Sequence, residues 1–576
     1  MQSEAILLGG KSLLNKNWKL RVHQNDLDLV QNILKSRGIE GPEEVSAYLS
    51  PSYKKGFHNP FLMKDMDKAV ERINQAIDKK ERIIVFGDYD VDGISGTAVL
   101  IKTLERLGAE VSYRLPHRVN DGYGLSNKFI EEFKEKNVKV LITVDSGISC
   151  KDQIDLAWEY GIDTIITDHH TIPENPPDRA YAILHPKQAE CLYPFKGLTG
   201  SGVAFKLASA LVTDRLPSKE RDQFMYSLLD LASLGTVADI GPLLGENRII
   251  VKYGLEALQN TMWPGLNHLM DYAGIDTTGK LDVSTIGFKI GPRINAAGRI
   301  DHPYQALQML LYDGEDQEKG KSLAAKLEKL NQERQQMVYK ALEEAFERVE
   351  SDSKNNKILI AWSPDWHMGI IGLIAGRLVE RHNIPAIVLQ EFDEHLVASF
   401  RSNESFNAVD ALNHVSHLLE HYGGHFQAAG FSIRKANLEQ FIDEISKYAA
   451  EKLQDYDSEQ ELLLDADLSN EEINDHFVKK LTQMEPYGYG NEKPNFLLKN
   501  VKLEGIKRVG KEGNHLHCFI TTGSNKYSAI AFKMGELIEK LVDAEEVDVV
   551  FSIDKNRWNG RDTIQFQLVD IKVNFR

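Results

Sequence analysis

Short apolar runs alternate with helix-like stretches between residues 83 and 239, and this alternation restricts the fold more than any other feature. The runs IIVF, VLITV and TIIT occupy residues 83–86, 140–144 and 164–167. Helix-like segments such as 97–107 and 127–136 separate them. Strands that are apolar on both faces and are joined by helices form parallel sheets covered on both sides. The sequence therefore predicts an α/β domain with a central parallel sheet.

Acidic and imidazole groups follow each of these three runs at the point where the strand would end. In chain order they are Asp88, Asp90, Asp92, Asp145, Asp168, His169 and His170. Asp239, in the apolar stretch SLGTVADIGPLL, is a further candidate. Any one aspartate is as well explained by a helix cap or a turn. Because the carboxyl ends of parallel strands meet at one edge of a sheet, their repetition favours a shared site.

Several carboxylates at one point repel each other, and bound cations remove that repulsion. Oxygen ligands with one or two imidazoles suit Mn²⁺ or Mg²⁺ better than a structural zinc. Two ions roughly 3.5–4 Å apart activate a water and stabilise a leaving oxygen in phosphoester displacement. Gly87, Gly93 and Gly96 surround the first acids, and we expect them to let backbone N–H groups approach a phosphate. The pattern indicates a two-metal phosphodiesterase.

The rest of the chain predicts further domains. Residues 315–350 have apolar residues at the spacing of a helix and no glycine after Gly320, which indicates one or two long helices. Such a helix could equally well join two domains or belong to an ordinary helix bundle. A second α/β pattern runs from residue 357 to about residue 450. Short alternating segments with Gly and Asn turns in residues 500–576 predict a small β-barrel.

Two other segments carry weaker signals. Residues 455–477 contain nine carboxylates and no Lys or Arg, which predicts a solvated linker or an acidic face. The stretch GPEEVSAYLSPSY predicts a helix ended by a proline, and we expect it to cover the first domain.

Composition restricts the class of protein. A chain of 576 residues with 42% hydrophobic and 27% charged residues is globular and long enough for three or four domains. The net charge of −17 excludes a uniformly basic coat but not a basic cleft. Cys150, Cys191 and Cys518 are far apart, which is typical of a protein of the reducing cytoplasm. We expect no signal peptide and no membrane-spanning helix, since the apolar runs are short.

The motifs DYDVDG, VDSG, DHH and LGTVADIGPL resemble the four successive motifs of the DHH phosphoesterase superfamily. GPRINAAGRI, SPDWHMGIIGLIAGRL, ASFRS and GGHFQAAGF extend the resemblance over most of the chain, which is similar to the RecJ family of bacterial single-stranded-DNA exonucleases. The resemblance implies an N-terminal extension (1–75), a parallel-sheet DHH catalytic domain (76–310), a long connecting helix (311–352), an α/β DHH-associated nucleic-acid-binding domain (353–452), and an all-β OB-like barrel with an acidic linker (453–576).

The resemblance also implies the site residues. The implied metal ligands, which are catalytic too, are Asp90, Asp92, Asp145, His169 and Asp239. His170, also catalytic, would be a second ligand or would contact the scissile phosphate. Relatives often have a histidine near the first motif where this chain has Asp88, so two roles for Asp88 stay open: a ligand, or a residue that orients the loop.

Arg118, in YRLPHR, is implied as the contact to a 5′-phosphate, for which the guanidinium fork is suited. The other implied nucleic-acid-binding residues lie in the later motifs and are Arg293, Asn295, Arg299, Ser399, Arg401, Gly423, Gly424 and His425. In the C-terminal region a mixture of cations and aromatic rings suits an oligonucleotide-binding barrel: Tyr487, Tyr489, Lys507, Arg508, Lys511, Lys526, Lys533, Lys555, Arg557, Trp558 and Arg561.

The implied function is hydrolysis of single-stranded DNA from the 5′ end to 5′-mononucleotides, with two Mn²⁺ or Mg²⁺ ions, in recombination and repair. The family implies a helicase and a single-strand-binding protein as partners and no membrane. Two alternatives stay open. One is a DHH-family phosphodiesterase or pyrophosphatase that acts on small substrates, and the other is a non-catalytic scaffold that binds single-stranded DNA.

Overall fold

The computed structural model describes residues 5–22, 28–118, 121–122, 124–352, 357–454, 456, 460–523, 525–558 and 561–573. The side chains of residues 351–352, 555–558 and 561–562 lie outside the description, and with them Lys555, Arg557, Trp558 and Arg561. The chain forms two compact units, Ser52–Tyr456, and Met1–Pro51 together with Asp457–Arg576.

The N-terminal segment forms β1 (Ala5–Leu8), β2 (Asn17–Arg21), α1 (Leu29–Ser36) and α2 (Pro42–Leu49). The first α/β region and the long helix after it contain α3 (Met66–Lys79), β3 (Arg82–Gly87), α4 (Val91–Arg106), β4 (Val111–Arg114), α5 (Asn127–Glu135), β5 (Val138–Val144), α6 (Lys151–Glu159), β6 (Asp163–Thr167), β7 (Ala182–Leu184), α7 (Gly200–Val212), α8 (Ser218–Ser227), α9 (Leu229–Ala238), α10 (Gly245–Leu258), α11 (Pro264–Tyr272), α12 (Gly291–Ile300), α13 (Tyr304–Leu311) and α14 (Gln317–Asp352).

The second α/β region contains β8 (Leu359–Ser363), α15 (Met368–His382), β9 (Ala386–Phe392), β10 (His395–Arg401), α16 (Ala408–His414), β11 (Leu419–Gly424), β12 (Ala428–Arg434) and α17 (Leu438–Lys452). The C-terminal region contains β13 (Glu461–Leu464), β14 (Ala466–Asp467), α18 (Asp475–Gln483), β15 (Phe496–Val509), β16 (His515–Thr522), β17 (Asn525–Ala531), α19 (Ile538–Leu541), β18 (Val547–Trp558) and β19 (Arg561–Val573).

The first sheet has five parallel strands in the order β4-β3-β5-β6-β7, which confirms the predicted α/β architecture. Alternate residues of β3 enter two separate cores. Ile83 and Val85 pack on one face with α4 and α7, and Ile84 and Phe86 pack on the other with α5 and α6. Each such buried side chain contributes about 1.5–3 kcal/mol to the free energy of folding. A strand that is covered by helices on both faces is therefore stabilised when all of its residues are apolar.

The predicted long helix is a single one, α14, of 36 residues, which spans about 54 Å at 1.5 Å per residue. Its first half buries Ala324 and Leu327 in the core of the first region. Its second half buries Ala345 and Val349 against α15 and the second sheet. The apolar spacing therefore serves two cores in succession, and α14 connects the two α/β regions of Ser52–Tyr456.

The second sheet has the order β11-β12-β10-β9-β8, in which only the β8–β9 pair is parallel. Helix α15 covers one face and α16 and α17 cover the other. Ser399 and Arg401 of β10 alternate with the buried Ala398 and Phe400, so the two polar residues lie on the α15 face. This places Ser399 and Arg401 of the ASFRS motif next to Gly372 of α15.

The C-terminal strands close a barrel. Strands β15, β16, β17, β19 and β18 pair in sequence, and β15 also pairs with β18. This confirms the predicted OB-like barrel. Within the same unit β1 and β2 form a three-stranded sheet with β13, and the buried Trp18 donates a hydrogen bond from Nε1 to Asp570 Oδ2 (3.0 Å).

The GPEEVSAYLSPSY stretch forms the predicted helix, α2, which packs within the unit that contains the barrel, while Tyr53 at the end of the stretch packs on the core of the first region. Tyr48 of α2 donates to the backbone oxygen of Met484 (3.3 Å) and hydrogen-bonds the side chain of Asn491. Both residues belong to the unit that contains the barrel. The helix packs there because its phenol meets polar partners from a segment more than 400 positions away in sequence.

The acidic segment is structured from Glu461 onward, as β13 and β14. Leu464 is buried, and the acids on either side of it meet cations of the same unit. Lys19 pairs with Glu461 (2.6 Å) and Lys499 pairs with Asp467 (2.6 Å). The part that is described is therefore an acidic face of the C-terminal unit and not a linker. In the described ranges no helix is long and apolar enough to span a membrane.

Candidate metal centre and nucleic-acid cleft

The strand ends of the first sheet lie at one level. Gly87, Val144 and Thr167 are register partners across β3, β5 and β6. The ladder continues for one more residue, since Asp88 N–H donates to the oxygen of Val144 (3.2 Å) and Asp145 N–H donates to that of Thr167 (2.9 Å). The parallel sheet therefore aligns the acids that follow its strands along one edge.

Asp145 has a left-handed backbone, with φ of 59°. Asp and Asn adopt this conformation more readily than other non-glycine residues, and such strain concentrates at functional sites. Gly200, at the start of α7, packs against this turn so closely that an added Cβ would lie 2.5 Å from the Asp145 Cβ. The turn and the helix together fix the direction of the Asp145 carboxylate.

Two acids of the first motif are held by helix N-termini. The Asp90 carboxylate caps α4 by accepting from the N–H groups of Asp92 (3.0 Å) and Gly93 (3.1 Å). The Asp92 carboxylate accepts from the N–H groups of Gly200 (2.6 Å) and Ser201 (2.9 Å) at the start of α7. These bonds orient both carboxylates.

The glycines of the first motif do not serve the purpose that the sequence predicts. A Cβ on Gly87 would lie 1.9 Å from Thr97 Oγ1, one on Gly93 would lie 2.6 Å from the Asp88 nitrogen, and one on Gly96 would lie 2.7 Å from a methyl group of Val144. All three are packed against protein, which leaves no space there for a phosphate. They allow α4 to approach the sheet.

Asp168 organises the turn that carries the two histidines. Its buried carboxylate accepts from the N–H groups of His169 (2.7 Å), His170 (3.1 Å) and Ile148 (3.0 Å), and from the ring Nδ1 of His170 (2.8 Å). Although burial acts in the opposite direction, these bonds lower the pKa of Asp168 to about 2 and raise that of His170 to about 9. Asp168 thus positions the backbone of the turn and the ring of His170.

His169 lies at the centre of the predicted site. Its Nε2 is 3.0 Å from Asp145 Oδ1, 3.5 Å from Asp239 Oδ2 and 3.8 Å from Asp92 Oδ2. Three overlapping groups have ligand atoms within 4.8 Å of one another: Asp145, His169 and His170; Asp92, His169 and Asp239; Asp88, Asp90 and Asp145. The structure therefore brings all seven sequence-predicted ligands together, with Asp239 supplied by the end of α9.

Electrostatics at this cluster favour the binding of a cation. Burial and the neighbouring aspartates raise the pKa of Asp145 and Asp88 well above the usual range, and raise that of Asp239 to about 8. Burial lowers the pKa of His169 to about 4, so the ring is neutral at pH 7 and can act as a ligand. Among the described residues the buried Asp88 Oδ1 and His169 Nε2 have no hydrogen-bond partner. Oxygen donors with neutral imidazole fit Mn²⁺ or Mg²⁺.

A cleft of about 1000 Å³ lies beside the cluster and is lined by Asp168 and His170. Most of the predicted nucleic-acid-binding residues line the same cleft: Arg118, Arg299, Ser399, Arg401, Gly423, Gly424 and His425. Burial and the charges of the nearby Arg118, Arg334 and Arg401 lower the pKa of Arg299 to about 9. Guanidinium groups crowded in this way are stabilised by an anion.

The cleft is lined from both α/β regions. Arg299 of α12 donates to the oxygen of Gly369 at the start of α15 (3.1 Å), where a Cβ on Gly369 would lie 1.9 Å from the Arg299 oxygen. The rings of His170 and His425 stack with centroids 6.4 Å apart. The second sheet thus faces the acidic cluster across a short distance.

Two predicted residues lie outside this lining. Arg293 pairs with Glu328 of α14 (2.5 Å) and donates to the oxygen of Lys289 (2.6 Å). Asn295 is half-buried on α12. Neither residue lines the cleft in the part of the chain that is described, and their predicted contacts to nucleic acid stay predictions.

Three residues around the cluster escaped the sequence predictions: Asp168 as an organiser of the turn, and His185 and Lys187. His185 and Lys187 follow β7, whose Leu184 is in register with Thr167 of β6. The signal was present in AILHPK, a short apolar run that ends in an imidazole and a cation. A run of three residues is too short to predict a strand by itself.

Comparison with known proteins agrees with this geometry. Residues 82–236 match the DHH family N-terminal domain, residues 355–451 match the DHHA1 domain, and residues 464–570 match the RecJ OB domain. The single-stranded-DNA-specific exonuclease RecJ of Bacillus subtilis is 36% identical over 95% of this chain and 68% of its own length. The chain belongs to the RecJ family.

Other RecJ proteins match over a comparable extent. The single-stranded-DNA-specific exonuclease RecJ of Escherichia coli is 31% identical over 94% of this chain and 95% of its own length. The crystal structure of Thermus thermophilus RecJ in complex with Mn²⁺ superposes with a TM-score of 0.80 at 29% identity, over 97% of this chain and 80% of that one. The predicted RecJ family and DHH superfamily membership is confirmed. The predicted domain boundaries stay a prediction, although each of the three matched ranges lies within a single predicted domain.

Proposed function

We propose that this RecJ-family protein is a metal-dependent exonuclease that hydrolyses single-stranded DNA from the 5′ end to 5′-mononucleotides, in recombination and repair. The observation that carries the proposal is the position of His169 among three carboxylates beside a cleft lined by arginines. Acids and imidazoles of this kind suit metal-assisted hydrolysis, and arginines at the adjacent wall suit a phosphorylated polymer.

The cofactor in this proposal is a pair of Mn²⁺ or Mg²⁺ ions. The residues that would hold them are Asp88, Asp90, Asp92, Asp145, His169, His170 and Asp239. When bound, two such ions lower the pKa of a water and stabilise the oxygen that leaves a phosphodiester. Asp88 is included as a ligand because its buried Oδ1 has no hydrogen-bond partner in the described ranges.

The protein's own groups orient the metal-binding side chains and set the 5′-to-3′ direction of cleavage. Asp168 fixes the His170 ring and the backbone of His169, and the N–H groups at the starts of α4 and α7 fix the carboxylates of Asp90 and Asp92 before any substrate arrives. Arg118, Arg299 and Arg401 would grip the terminal 5′-phosphate with charge-assisted bonds. Since this grip lies next to the acidic cluster, the first phosphodiester after a 5′ end is the one placed for cleavage.

The same geometry weighs against the alternatives. A scaffold without catalysis has no need for a full set of acidic and imidazole ligands, and here each predicted ligand position is filled and convergent. A pyrophosphatase or a hydrolase of small substrates has no need for the barrel, which matches the RecJ OB domain and carries cations and aromatic rings that suit a longer strand. In the cell we place the protein in the cytoplasm, with a helicase and a single-strand-binding protein as partners.

The test uses the purified full chain with Mn²⁺ and four substrates: single strands labelled at the 5′ end, single strands labelled at the 3′ end, blunt duplex and pyrophosphate. We expect rapid release of labelled mononucleotide from the 5′ end of single strands and little reaction on duplex. Hydrolysis of pyrophosphate alone, or binding of strands without cleavage in Mn²⁺ and in Mg²⁺, contradicts the proposal.

Metal loading should release protons at neutral pH. The pKa of Asp239 is about 8 in the metal-free protein, so this carboxyl is protonated at pH 7 and must lose its proton to become a ligand. Apparent Mn²⁺ affinity should therefore rise with pH between 6 and 9. Calorimetric titration with Mn²⁺ at pH 7, in buffers of different ionisation enthalpy, measures the protons released. Zero release would mean that Asp239 does not become a ligand.

A further inference from the structure

Tyr89 separates two of the predicted metal ligands, Asp88 and Asp90, in the turn between β3 and α4. Its side chain is half-buried and lines the cleft, and so does that of Arg118. The turn that carries the acids therefore also brings an aromatic ring next to the arginine proposed to contact the terminal phosphate.

The face of the Tyr89 ring holds the Arg118 guanidinium. The guanidinium carbon lies 4.5 Å from the ring centre. A cation in this position is attracted by the electrons of the ring, and more strongly where both groups are partly shielded from water, as they are here. The contact restricts a long side chain that would otherwise sample many rotamers. Arg118 is therefore oriented in the cleft before a strand binds.

Tyr89 is in turn fixed by its neighbours. Asp90, the next residue, caps α4 with its carboxylate. On the other side α12 approaches so closely that a Cβ added to Gly298 would lie 2.6 Å from the Tyr89 oxygen. The residue after Gly298 is Arg299, which lines the same cleft. The ring therefore has a defined place relative to the acids and to a second arginine.

We propose that Tyr89 is a positioning residue that holds Arg118 toward the terminal 5′-phosphate through the face of its ring. The inference rests on the proposed exonuclease function. Tyr89 acts through Arg118 and not on the scissile phosphodiester. Because the ring belongs to the turn that carries the metal ligands, it fixes the place of the 5′-phosphate relative to those ligands. Tyr89 is thus a determinant of selectivity for phosphorylated ends.

The variants Tyr89→Leu and Tyr89→Phe test whether the ring is the group that matters. Leucine fills part of the same space without an aromatic face, and phenylalanine keeps the face without the hydroxyl. The ratio of kcat/KM between 5′-phosphorylated and 5′-hydroxyl oligothymidylate should fall about 3- to 10-fold in Tyr89→Leu, mainly through KM of the phosphorylated strand. It should stay within about twofold of the parent ratio in Tyr89→Phe. Equal losses in the two variants contradict the role of the ring.

A double-mutant cycle with Arg118→Ala separates positioning from a direct contact. If Tyr89 acts through Arg118, adding Tyr89→Leu to Arg118→Ala leaves the ratio unchanged. A further fall of the same size as in the single variant overturns the proposal. Mn²⁺ affinity, measured by electron paramagnetic resonance, should be near that of the parent in Tyr89→Leu. A large loss of Mn²⁺ affinity with an unchanged ratio also overturns it, because the ring would then support only the metal ligands.

Trp158→Leu is the matched control for loss of a ring that holds an arginine. The Arg179 guanidinium carbon lies 4.4 Å from the ring centre of the exposed Trp158. Neither residue lines the cleft in the part of the chain that is described. Trp158→Leu should therefore show the parent ratio. A fall equal to that in Tyr89→Leu would mean that the effect is not specific to the cleft, which overturns the proposal.

Strand binding in EDTA separates this inference from the proposed function, because binding requires no cleavage. The full chain should bind a 5′-phosphorylated strand more tightly than its 5′-hydroxyl counterpart, and Tyr89→Leu should reduce this preference about 3- to 10-fold. A parent protein that binds strands but never cuts them overturns the exonuclease proposal, and the preference still tests Tyr89. A parent protein that does not distinguish the two ends, or an unchanged preference in Tyr89→Leu, overturns the inference.

Discussion

Replacing Asp145 with asparagine should reduce cleavage of single-stranded DNA by about 1,000-fold or more with Mn²⁺. Asp145 Oδ1 lies 3.0 Å from His169 Nε2, and Asp145 belongs to two of the three groups that fit a cation. Losing this shared carboxylate removes several kcal/mol of metal-dependent transition-state stabilisation, and each 1.4 kcal/mol is tenfold in rate. Single-turnover cleavage of a 5′-labelled strand measures the effect.

The fold should survive this change. Asparagine matches the shape of aspartate and tolerates the left-handed backbone at this position, and it removes a charge from a crowded cluster. The thermal midpoint in EDTA should be equal to or above that of the parent. Asp152→Asn, at an exposed acid in the first turn of α6, is the control and should leave both quantities unchanged. Normal turnover in Asp145→Asn would show that the metal assignment is wrong.

Replacing Arg118 with alanine should remove the preference for a 5′-phosphorylated end. The Arg118 guanidinium lies 4.5 Å from the centre of the Tyr89 ring and lines the cleft with Arg299 and Arg401. A charge-assisted bond to phosphate contributes about 1.5–3 kcal/mol, so the ratio of kcat/KM between phosphorylated and hydroxyl ends should fall about 10- to 100-fold. Steady-state kinetics on the two matched oligonucleotides give the ratio.

Arg106→Ala controls for general loss of positive charge. Arg106 ends the helix that begins beside the acidic cluster, and it forms a surface ion pair with Glu220 far from the cleft lining. The Arg106→Ala variant should show the same ratio of kcat/KM between phosphorylated and hydroxyl ends as the parent protein. If Arg118→Ala keeps that ratio as well, another group recognises the terminal phosphate.

The cluster of acids was predictable because it depends on a rule of parallel sheets. Asp88, Asp145 and Asp168 each follow an apolar run, and register then aligns them along one edge. The support of the histidine turn was not predictable in this way. His185 and Lys187 act on backbone oxygens of His169 and His170, and backbone partners leave no pattern in a sequence.

The glycines of the first motif were identified correctly from the sequence, but their predicted role was wrong. Gly93 packs against the backbone of Asp88, yet in the sequence it looks the same as a glycine that admits a phosphate. The N-terminal strands were beyond prediction for a third reason. Strand β2 pairs with β13 through Trp18 and Leu462, and no local pattern reports a pairing over so long a separation.

Helix α14 also limits how this protein can change in length. It runs without a break from the core of the first region to that of the second, and it presents a different apolar stripe to each. One inserted residue turns everything beyond it by about 100° and advances it by about 1.5 Å. Arg401 and His425 would then swing away from His170. A seven-residue insertion would nearly restore the angle but would move the second region about 10.5 Å along the helix, so the bond from Arg299 to the Gly369 oxygen would be lost. Insertions and deletions of any length between the two stripes should therefore disrupt the cleft, which makes the length of α14 a fixed dimension of the site.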